Sequence, residues 1–242
     1  MTRYKYDLHV HSCLSPCADD DMTPANIAGM AHLNGLQLLA LTDHNSCKNC
    51  PAFMDACRQY GIVPVPGMEL CTAEEIHMIC LFASLDDALA FSSDVEGYLL
   101  PVSNKPDIFG NQLIVDAEDH LLGTMDTLLI NASTLSLPEA VDLCLRHSGA
   151  CFPAHIDRES HGIVAVLGSL PESPEFRTIE LSHLADEDFE KGFPGKLVLH
   201  SSDAHHLWDI GDGKYSLDID DEPYSSTRVR EELLNMIKNG SK

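Results

Sequence analysis

The chain has 242 residues, a length that one α/β domain can reach without splitting; 44% of the residues are hydrophobic and 22% are charged, which excludes a disordered or fibrous protein. With 15 Lys and Arg against 38 Asp and Glu, the formal net charge is −23. So acidic a surface disfavours duplex nucleic acid as a partner, because a long polyanion would be repelled.

The predicted elements alternate between strands and helices along most of the chain. Thr23-Pro24, for example, opens a helix with a threonine cap and a proline at its first position. In chain order the pattern predicts strand 4–12, helix 24–34, strand 36–42, helix 51–60, strands 62–69 and 75–83, helix 85–96, hairpin arms 112–115 and 128–130, helix 137–147, strand 150–155, helix 163–167, strands 178–182 and 196–201, edge strand 215–219 and helix 226–238.

Alternation of this kind implies a parallel sheet, and about seven strands with few long connections favour a barrel over an open sheet. The rhythm breaks at 100–133, where Asn-Lys-Pro-Asp and Phe-Gly-Asn turns surround two short apolar stretches. We therefore expect one domain over residues 1–242, with a hairpin-like insertion at about 100–133.

The cysteine content and the N-terminus predict where the protein is found. The nine cysteines are an odd number, and the chain enters a strand at once without a signal region. No apolar run approaches the ~18 residues of a membrane span, so we expect a cytoplasmic protein with reduced thiols and no membrane partner. The C-x-x-C pair Cys47 and Cys50 suits a structural zinc or a redox pair, but free cysteines are also commonly buried as small hydrophobic residues.

Short motifs of acids and histidines stand where the predicted strands end. They are D-L-H-V-H-S at 7–12, T-D-H-N at 42–45, G-M-E-L at 67–70 followed by His77, A-H-I-D-R at 154–158, and S-D-A-H-H at 202–206. The carboxyl ends of parallel strands meet at one rim, so these side chains are expected to meet there. Clustered imidazoles and carboxylates bind divalent metals, and the sequence therefore predicts a metal centre.

This ordered set of motifs resembles the polymerase and histidinol phosphatase (PHP) superfamily of metal-dependent phosphoesterases. The resemblance runs from residue 4 to about residue 218. It implies a distorted (βα)7 barrel, here with the inserted hairpin-like segment, and a centre of two to three divalent metal ions. Zinc, manganese and iron all suit mixed histidine and carboxylate ligands, so the sequence does not choose among them.

The resemblance also implies a ligand set. The first metal would be held by His9, His11, Glu69 and Asp203; the second by Glu69, His77 and His155; the third by His44, His205 and one ligand from the loop after the first strand. Family members place a histidine or aspartate in that loop. Here Cys17 is closest by spacing, with Asp19 and Asp20 near enough to compete.

Further roles follow for the residues around the metals. Asp7 and Asp43 are expected to orient imidazoles through the ring nitrogen that does not touch metal. Glu69, Asp203 and His205 are the expected catalytic residues, the last two as candidates for proton transfer to the leaving oxygen. Two substrate contacts are also expected: Arg158 matches a phosphate-binding arginine of the phosphatase branch, with a surface salt bridge as the alternative, and His183 follows a predicted strand.

The function we expect is hydrolysis of a small phosphate monoester, a nucleotide or a phosphorylated metabolite, by a hydroxide that bridges two metals. One alternative is a nuclease that trims short single-stranded oligonucleotides, which would need a basic or aromatic groove that the composition hardly offers. The other alternative is a non-catalytic, metal-bound regulatory module.

Overall fold

The backbone of the computed structural model alternates strands and helices and is described for residues 1–182, 184–185 and 187–240. The strands are β1 (Thr2–Asp7), β2 (Leu38–Leu41), β3 (Val63–Cys71), β4 (His77–Leu81), β5 (Leu113–Val115), β6 (Leu121–Thr124), β7 (Ala150–Pro153), β8 (Thr178–Leu181), β9 (Leu197–His200) and β10 (Ser216–Ile219). The helices are α1 (Pro24–Leu33), α2 (Cys50–Gln59), α3 (Leu85–Glu96), α4 (Pro106–Phe109), α5 (Leu137–Arg146), α6 (Ile163–Leu167), α7 (Glu187–Glu190) and α8 (Ser226–Asn239).

Six strands form one sheet in the order β10-β1-β2-β3-β4-β7, while β8 and β9 form a separate parallel pair. Only β1–β2 and β2–β3 are parallel within the large sheet; β1–β10, β3–β4 and β4–β7 are antiparallel. The result is an α/β fold with a mixed sheet curled into a half-barrel, not the all-parallel sheet that was predicted. The turn at 72–76 explains part of this difference, because so short a connection between β3 and β4 allows only antiparallel pairing.

Two backbone contacts draw the separate strand pair toward the large sheet. The His11 N–H donates to the Ala204 carbonyl at 3.0 Å, beside a parallel bridge between Val10 and Ala204. The Ile156 N–H donates to the Glu180 carbonyl at 2.9 Å. Segments that follow β1, β7 and β9 are thereby brought together at one end of the sheet.

Helices cover the sheet, and their caps follow from the sequence. Thr23 caps α1 by accepting from the Asn26 N–H, and Ser136 and Glu139 form a capping box at the start of α5. The apolar core has two parts, one containing Phe53 and the other containing Phe152. Within the described part of the chain, none of the helices is long and apolar enough to cross a membrane.

The insertion contains α4 and a hairpin of β5 and β6. Its second arm was predicted at 128–130 but lies at Leu121–Thr124, where Leu121 is 63% exposed. The predicted arm is instead a turn whose Leu128 and Leu129 are buried, so its apolar character reflects packing beneath the insertion. The Asn45 amide anchors this turn by donating to the carbonyls of Leu129 and Asn131 at 2.7 and 2.9 Å.

Candidate metal centre

The acids and histidines of the motifs meet at the end of the sheet where these segments converge. They come from β3 and β4 themselves and from the segments after β1, β2, β7 and β9. Two of them have a left-handed backbone that non-glycine residues rarely adopt: φ is 28° at His155 and 54° at Asp203. Strain of this kind persists where the surrounding structure enforces it, and it is common at functional sites.

The first group consists of His9, His11, Glu69 and Asp203, whose ligand atoms all lie within 4.8 Å of one another. Nε2 of His9 and Nε2 of His11 are each 3.1 Å from Asp203 Oδ1. The same two nitrogens lie 3.3 and 3.2 Å from the oxygens of Glu69. These are the four residues that the resemblance implies for the first metal, and the structure brings them together.

Glu69 also contacts a second set of imidazoles. Its Oε1 lies 2.7 Å from His77 Nδ1 and 3.2 Å from His155 Nε2, and its Oε2 lies 3.1 Å from His44 Nδ1. The ligand atoms of His44, Glu69 and His77 all lie within 4.8 Å of one another, so His44 approaches the second position as well as the third. A carboxylate between two groups of imidazoles has the geometry of a bridging ligand.

The third position is less complete. His44 and His205 form a group with His11, which the expected ligand set did not include here. Cys17 is exposed and lines the cavity beside them. Asp20 points elsewhere, because its Oδ2 accepts from Asn111 at 2.8 Å, and Asp19 pairs with His206 at 2.7 Å. Of the three loop candidates, Cys17 therefore lies nearest this position.

Buried polar atoms without partners support metal binding at these groups. Within the described residues, Nδ1 of His44, both ring nitrogens of His77, Nδ1 of His155 and Oε2 of Glu69 are buried and make no hydrogen bond of acceptable geometry. Buried polar groups are normally satisfied, so such a concentration of free lone pairs needs a partner. Imidazole nitrogen and carboxylate oxygen are ligands of divalent cations, and the clusters suit more than one ion.

The pKa shifts in the cluster keep its carboxylates ionised, as metal ligands must be. Burial opposes ionisation of Glu69 and Asp203, yet the surrounding imidazoles, His77 and His9 foremost, hold the pKa of each carboxyl well below its usual value. Burial, followed by repulsion from His11, lowers the pKa of His205 to about 4. For His11, burial is outweighed by hydrogen bonds to Asp203 and Glu69, which raise its pKa to about 9. The site thus prefers positive charge beside its carboxylates.

Glu180 belongs to the centre although sequence reasoning missed it. Its Oε1 accepts from His9 Nδ1 at 2.9 Å and from the His155 N–H at 3.1 Å, and the residue is buried. These bonds leave His9 Nε2 facing Glu69 and Asp203. The available signal was a single acid inside the apolar strand β8, a position that a carboxylate occupies only with partners.

Asp43 orients His11 through Ser15. The Ser15 hydroxyl donates to Asp43 Oδ1 at 2.7 Å, interacts with His11 Nδ1 at 3.0 Å and accepts from the His44 N–H at 3.1 Å. Asp43 also accepts from the hydroxyl of Ser12 at 2.6 Å. The expected orienting role is therefore indirect, with a hydroxyl between the carboxylate and the imidazole.

Asp7 holds a backbone segment instead of an imidazole. Its carboxylate accepts from the N–H and hydroxyl of Ser202 at 3.0 and 2.6 Å and from the Gly211 N–H at 2.9 Å. A Cβ at Gly211 would lie 2.9 Å from Asp7 Oδ2, so any larger residue here would displace the carboxylate. Because Ser202 precedes Asp203, Asp7 fixes the backbone that presents a candidate ligand.

A cavity of about 170 Å³ opens beside the clusters. Arg158 and His161 line it, and Ile130 of the insertion forms another part of its wall. Arg158 Nη1 donates to Asp203 Oδ2 at 2.5 Å, and its side chain is 39% exposed. A larger cavity of about 420 Å³ near Tyr6 and Tyr215 contains none of the clustered ligands.

The remaining predicted features are His183 and the pair Cys47 and Cys50. His183 lies outside the described residues. Cys47 and Cys50 are buried, and both thiols point to the Gly67 carbonyl. Among the residues that the structure describes, neither cysteine belongs to a cluster of three or more side chains that could bind a metal. Their surroundings favour the buried, hydrophobic role over an additional zinc site.

Comparison with known proteins finds similarity to two proteins that are named as nucleases. A 5'-3' exoribonuclease of Haemophilus influenzae is 34% identical over 84 residues, 34% of this chain and 29% of that protein. The lesion-specific endonuclease PfuEndoQ of Pyrococcus furiosus superposes with a TM-score of 0.69 at 20% identity, over 98% of this chain and 56% of that one. This chain thus spans less than two thirds of either protein.

A second solved structure matches almost from end to end. A candidate metal-dependent phosphoesterase of Bifidobacterium adolescentis superposes with a TM-score of 0.61 at 14% identity, covering 98% of this chain and 96% of that one. The sequence pattern of the PHP domain matches residues 7–165, more than half of the chain. The resemblance predicted from the motifs is confirmed: this chain belongs to the PHP domain family.

Proposed function

We propose that this protein hydrolyses phosphate monoesters of small molecules, with a nucleotide or a phosphorylated metabolite as substrate. One observation carries the proposal: the ligand clusters open into a cavity of about 170 Å³ with Arg158 in its wall. Sites that enclose whole small molecules usually measure about 300–1,000 Å³. This cavity therefore suits a phosphoryl group, with the rest of the ester outside it.

The residues that would hold metals follow from the geometry. His9, His11, Glu69 and Asp203 would hold one ion, Glu69 with His77 and His155 a second, and His44 with His205 and Cys17 a third. Zinc, manganese and iron are each compatible with the first two donor sets. Bound divalent cations would supply Lewis acidity, lowering the pKa of water and neutralising charge on phosphate oxygens.

Arg158 would bind and orient the phosphate. In the described contacts, its bond to Asp203 uses one of the five N–H donors of the guanidinium, so donors remain for phosphate oxygens. The planar group can bind two such oxygens at once, which fixes the orientation of the ester as well as its position. Its partial exposure leaves it accessible to a substrate that enters the cavity.

His205 and Asp203 are better suited to hold cations than to donate protons. His205 Nδ1 donates to the Asp203 carbonyl at 2.8 Å, which leaves its Nε2 as a neutral acceptor, and its pKa is lowered to about 4. The Asp203 carboxyl has a strongly lowered pKa and is ionised at neutral pH. We therefore assign the protonation of the leaving oxygen to solvent instead of to either side chain.

The insertion would restrict the size of the substrate. Ile130 forms part of the cavity wall. The turn that carries it is held by two hydrogen bonds from the side chain of Asn45, the residue that follows the candidate ligand His44. The net charge of −23 adds long-range repulsion against extended polyanions. Both features favour a small ester over a long strand.

A nuclease of short single-stranded oligonucleotides is the second candidate. It is favoured by the similarity to the exoribonuclease and by the fold shared with endonuclease Q, which has been seen in complex with a 27-mer duplex bearing an abasic lesion. The same cations would serve monoester and diester cleavage. A non-catalytic role is less favoured, because the buried groups around Glu69 support binding of more than one cation beside an open cavity.

A comparison of substrates tests the proposal. Protein loaded with manganese or zinc is offered mononucleotides, sugar phosphates and an end-labelled five-nucleotide single strand. We expect kcat/KM for phosphate release from at least one monoester to exceed that for mononucleotide release by tenfold or more. Faster trimming of the oligonucleotide would establish the nuclease instead, and no turnover of any ester by metal-loaded protein would support the regulatory module.

A further inference from the structure

A cysteine and two histidines form another group at the edge of the metal centre. The ligand atoms of Cys71, His77 and His161 all lie within 4.8 Å of one another. Cys71 and His77 are directly paired across β3 and β4, so their side chains project from the same face of that ladder. None of the three metals implied by the PHP resemblance uses Cys71 or His161.

His161 is held next to His77 by its backbone and its ring. Its carbonyl accepts from the His77 N–H at 3.1 Å, and the two imidazoles stack with centroids 4.3 Å apart. His161 Nδ1 donates to the Glu75 carbonyl at 3.0 Å. This bond fixes the tautomer in which Nε2 carries the free lone pair, the arrangement common among metal-binding histidines.

His77 has a second nitrogen to offer. Its Nδ1 lies 2.7 Å from Glu69, while its buried Nε2 makes no hydrogen bond within the described residues. A neutral imidazole binds a cation through one nitrogen only. Thus His77 can serve either the centre around Glu69 or the group with Cys71 and His161, but not both.

We propose that Cys71, His77 and His161 form a separate, inhibitory site for a soft divalent cation, zinc above all, which removes His77 from the centre around Glu69. A thiolate with two imidazoles is a donor set that zinc prefers, whereas manganese prefers oxygen ligands. Ligand atoms around a tetrahedral zinc lie about 3.5 Å apart. Since the ligand atoms lie at most 4.8 Å apart, the group would contract by no more than about 1.3 Å, which the exposed His161 permits by turning out of its stack.

Cobalt(II) reports on this site without any need for turnover. Metal-free protein is titrated with cobalt while the near-ultraviolet absorption of cobalt–thiolate bonds is recorded. Because Cys17 is the expected thiolate at the third position, the titration uses Cys17→Ser as the parent protein. Cys17→Ser should develop this band, the added Cys71→Ser should abolish it, and the matched addition of Cys57→Ser, a buried cysteine of α2, should keep it. A band that is absent from Cys17→Ser, or that survives when Cys71→Ser is added, overturns the proposal.

Inhibition by zinc tests the competition for His77, and this arm rests on the proposed function. For manganese-loaded protein, excess zinc should inhibit the wild type and Cys57→Ser alike, while Cys71→Ser and His161→Ala should each need at least tenfold more zinc. Equal inhibition in all four proteins overturns the inhibitory role. If no phosphate ester is turned over, the cobalt band still shows whether the site exists. If Cys71→Ser does not fold, loss of the band in His161→Ala shows it instead.

Discussion

Replacing Glu180 is the sharpest test of how the centre is organised. Its Oε1 accepts two buried hydrogen bonds, from His9 Nδ1 at 2.9 Å and from the His155 N–H at 3.1 Å. Glu180→Ala leaves both donors unpaired, and each buried unsatisfied donor costs about 1–3 kcal/mol, so the free energy of unfolding should fall by about 2–6 kcal/mol. Glu180→Gln retains an acceptor and should lose less.

Metal affinity should fall as well, because Glu180 sets the orientation of His9. Loss of a group that orients a ligating histidine typically weakens metal binding by about 10–100-fold, or about 1.4–2.7 kcal/mol. We expect Glu180→Gln near the lower and Glu180→Ala near the upper value. Competition against a chelator of known affinity measures this for the tightest-bound ion, and chemical unfolding of the metal-free proteins measures stability.

Asp221→Asn is the matched control. Asp221 is also a buried carboxylate with two hydrogen-bonded partners, the hydroxyls of Tyr4 and Thr2 at 2.8 and 2.9 Å, but it lies outside the metal clusters. This variant should lose stability and keep the wild-type affinity for metal. If folded Glu180→Ala also binds its tightest ion with wild-type affinity, Glu180 does not position His9 and the reasoning fails.

Three other predictions concern the ligands and the substrate. Glu69→Ala should lose both cations that this carboxylate would hold together with the imidazoles it contacts, measured as metal per chain, and with them its activity; substantial turnover with bound metal would contradict the bridging role. Arg158→Ala should lower kcat/KM by about 10–100-fold, as expected for a charged hydrogen bond, while the exposed Arg177→Ala should not change it, and equal effects would remove Arg158 from substrate binding. In chelator-treated protein, the free energy of unfolding should rise from pH 4 to 6.5, because the lowered pKa of His205 makes the unfolded chain bind more protons than the folded one in that range. It should fall from pH 6.5 to 9, because the raised pKa of His11 makes the folded chain bind more protons there. The melting temperature should then peak near pH 6.5, and metal-loaded protein should not show the decline above it.

Much of the centre could be anticipated because strand periodicity and motif order are local properties. The spacing of His9 and His11 places both on one face, and the structure indeed directs both Nε2 atoms toward Asp203. The pairing of β3 with β4 could have been inferred from their short connection, but the alternation elsewhere suggested parallel strands. Glu180 could not be assigned, since its partners lie 171 and 25 residues away and only the fold brings them together.

The hairpin arm shows the complementary limit of pattern reading. The apolar residues Leu128 and Leu129 are buried in a turn under the insertion, while the exposed arm at Leu121–Thr124 carries two leucines that face solvent. Burial therefore did not follow the periodicity on which strand assignment depends. The third metal position was hard to predict for a similar reason. Cys17 lies in a loop, where no repeating pattern indicates which way a side chain points.

The way in which the insertion is fastened has a consequence for engineering. Asn45 donates to the carbonyls of Leu129 and Asn131, and Asn49 donates to that of Leu113 and accepts from the Val115 N–H. These partners are backbone atoms, which every non-proline residue supplies. Side chains of the insertion that are not buried can thus be exchanged, Ile130 included, without losing the anchors beside the candidate metal ligands. If the proposed function holds, this end of the half-barrel could carry different cavity walls on the same backbone anchors, and each wall would select a different ester.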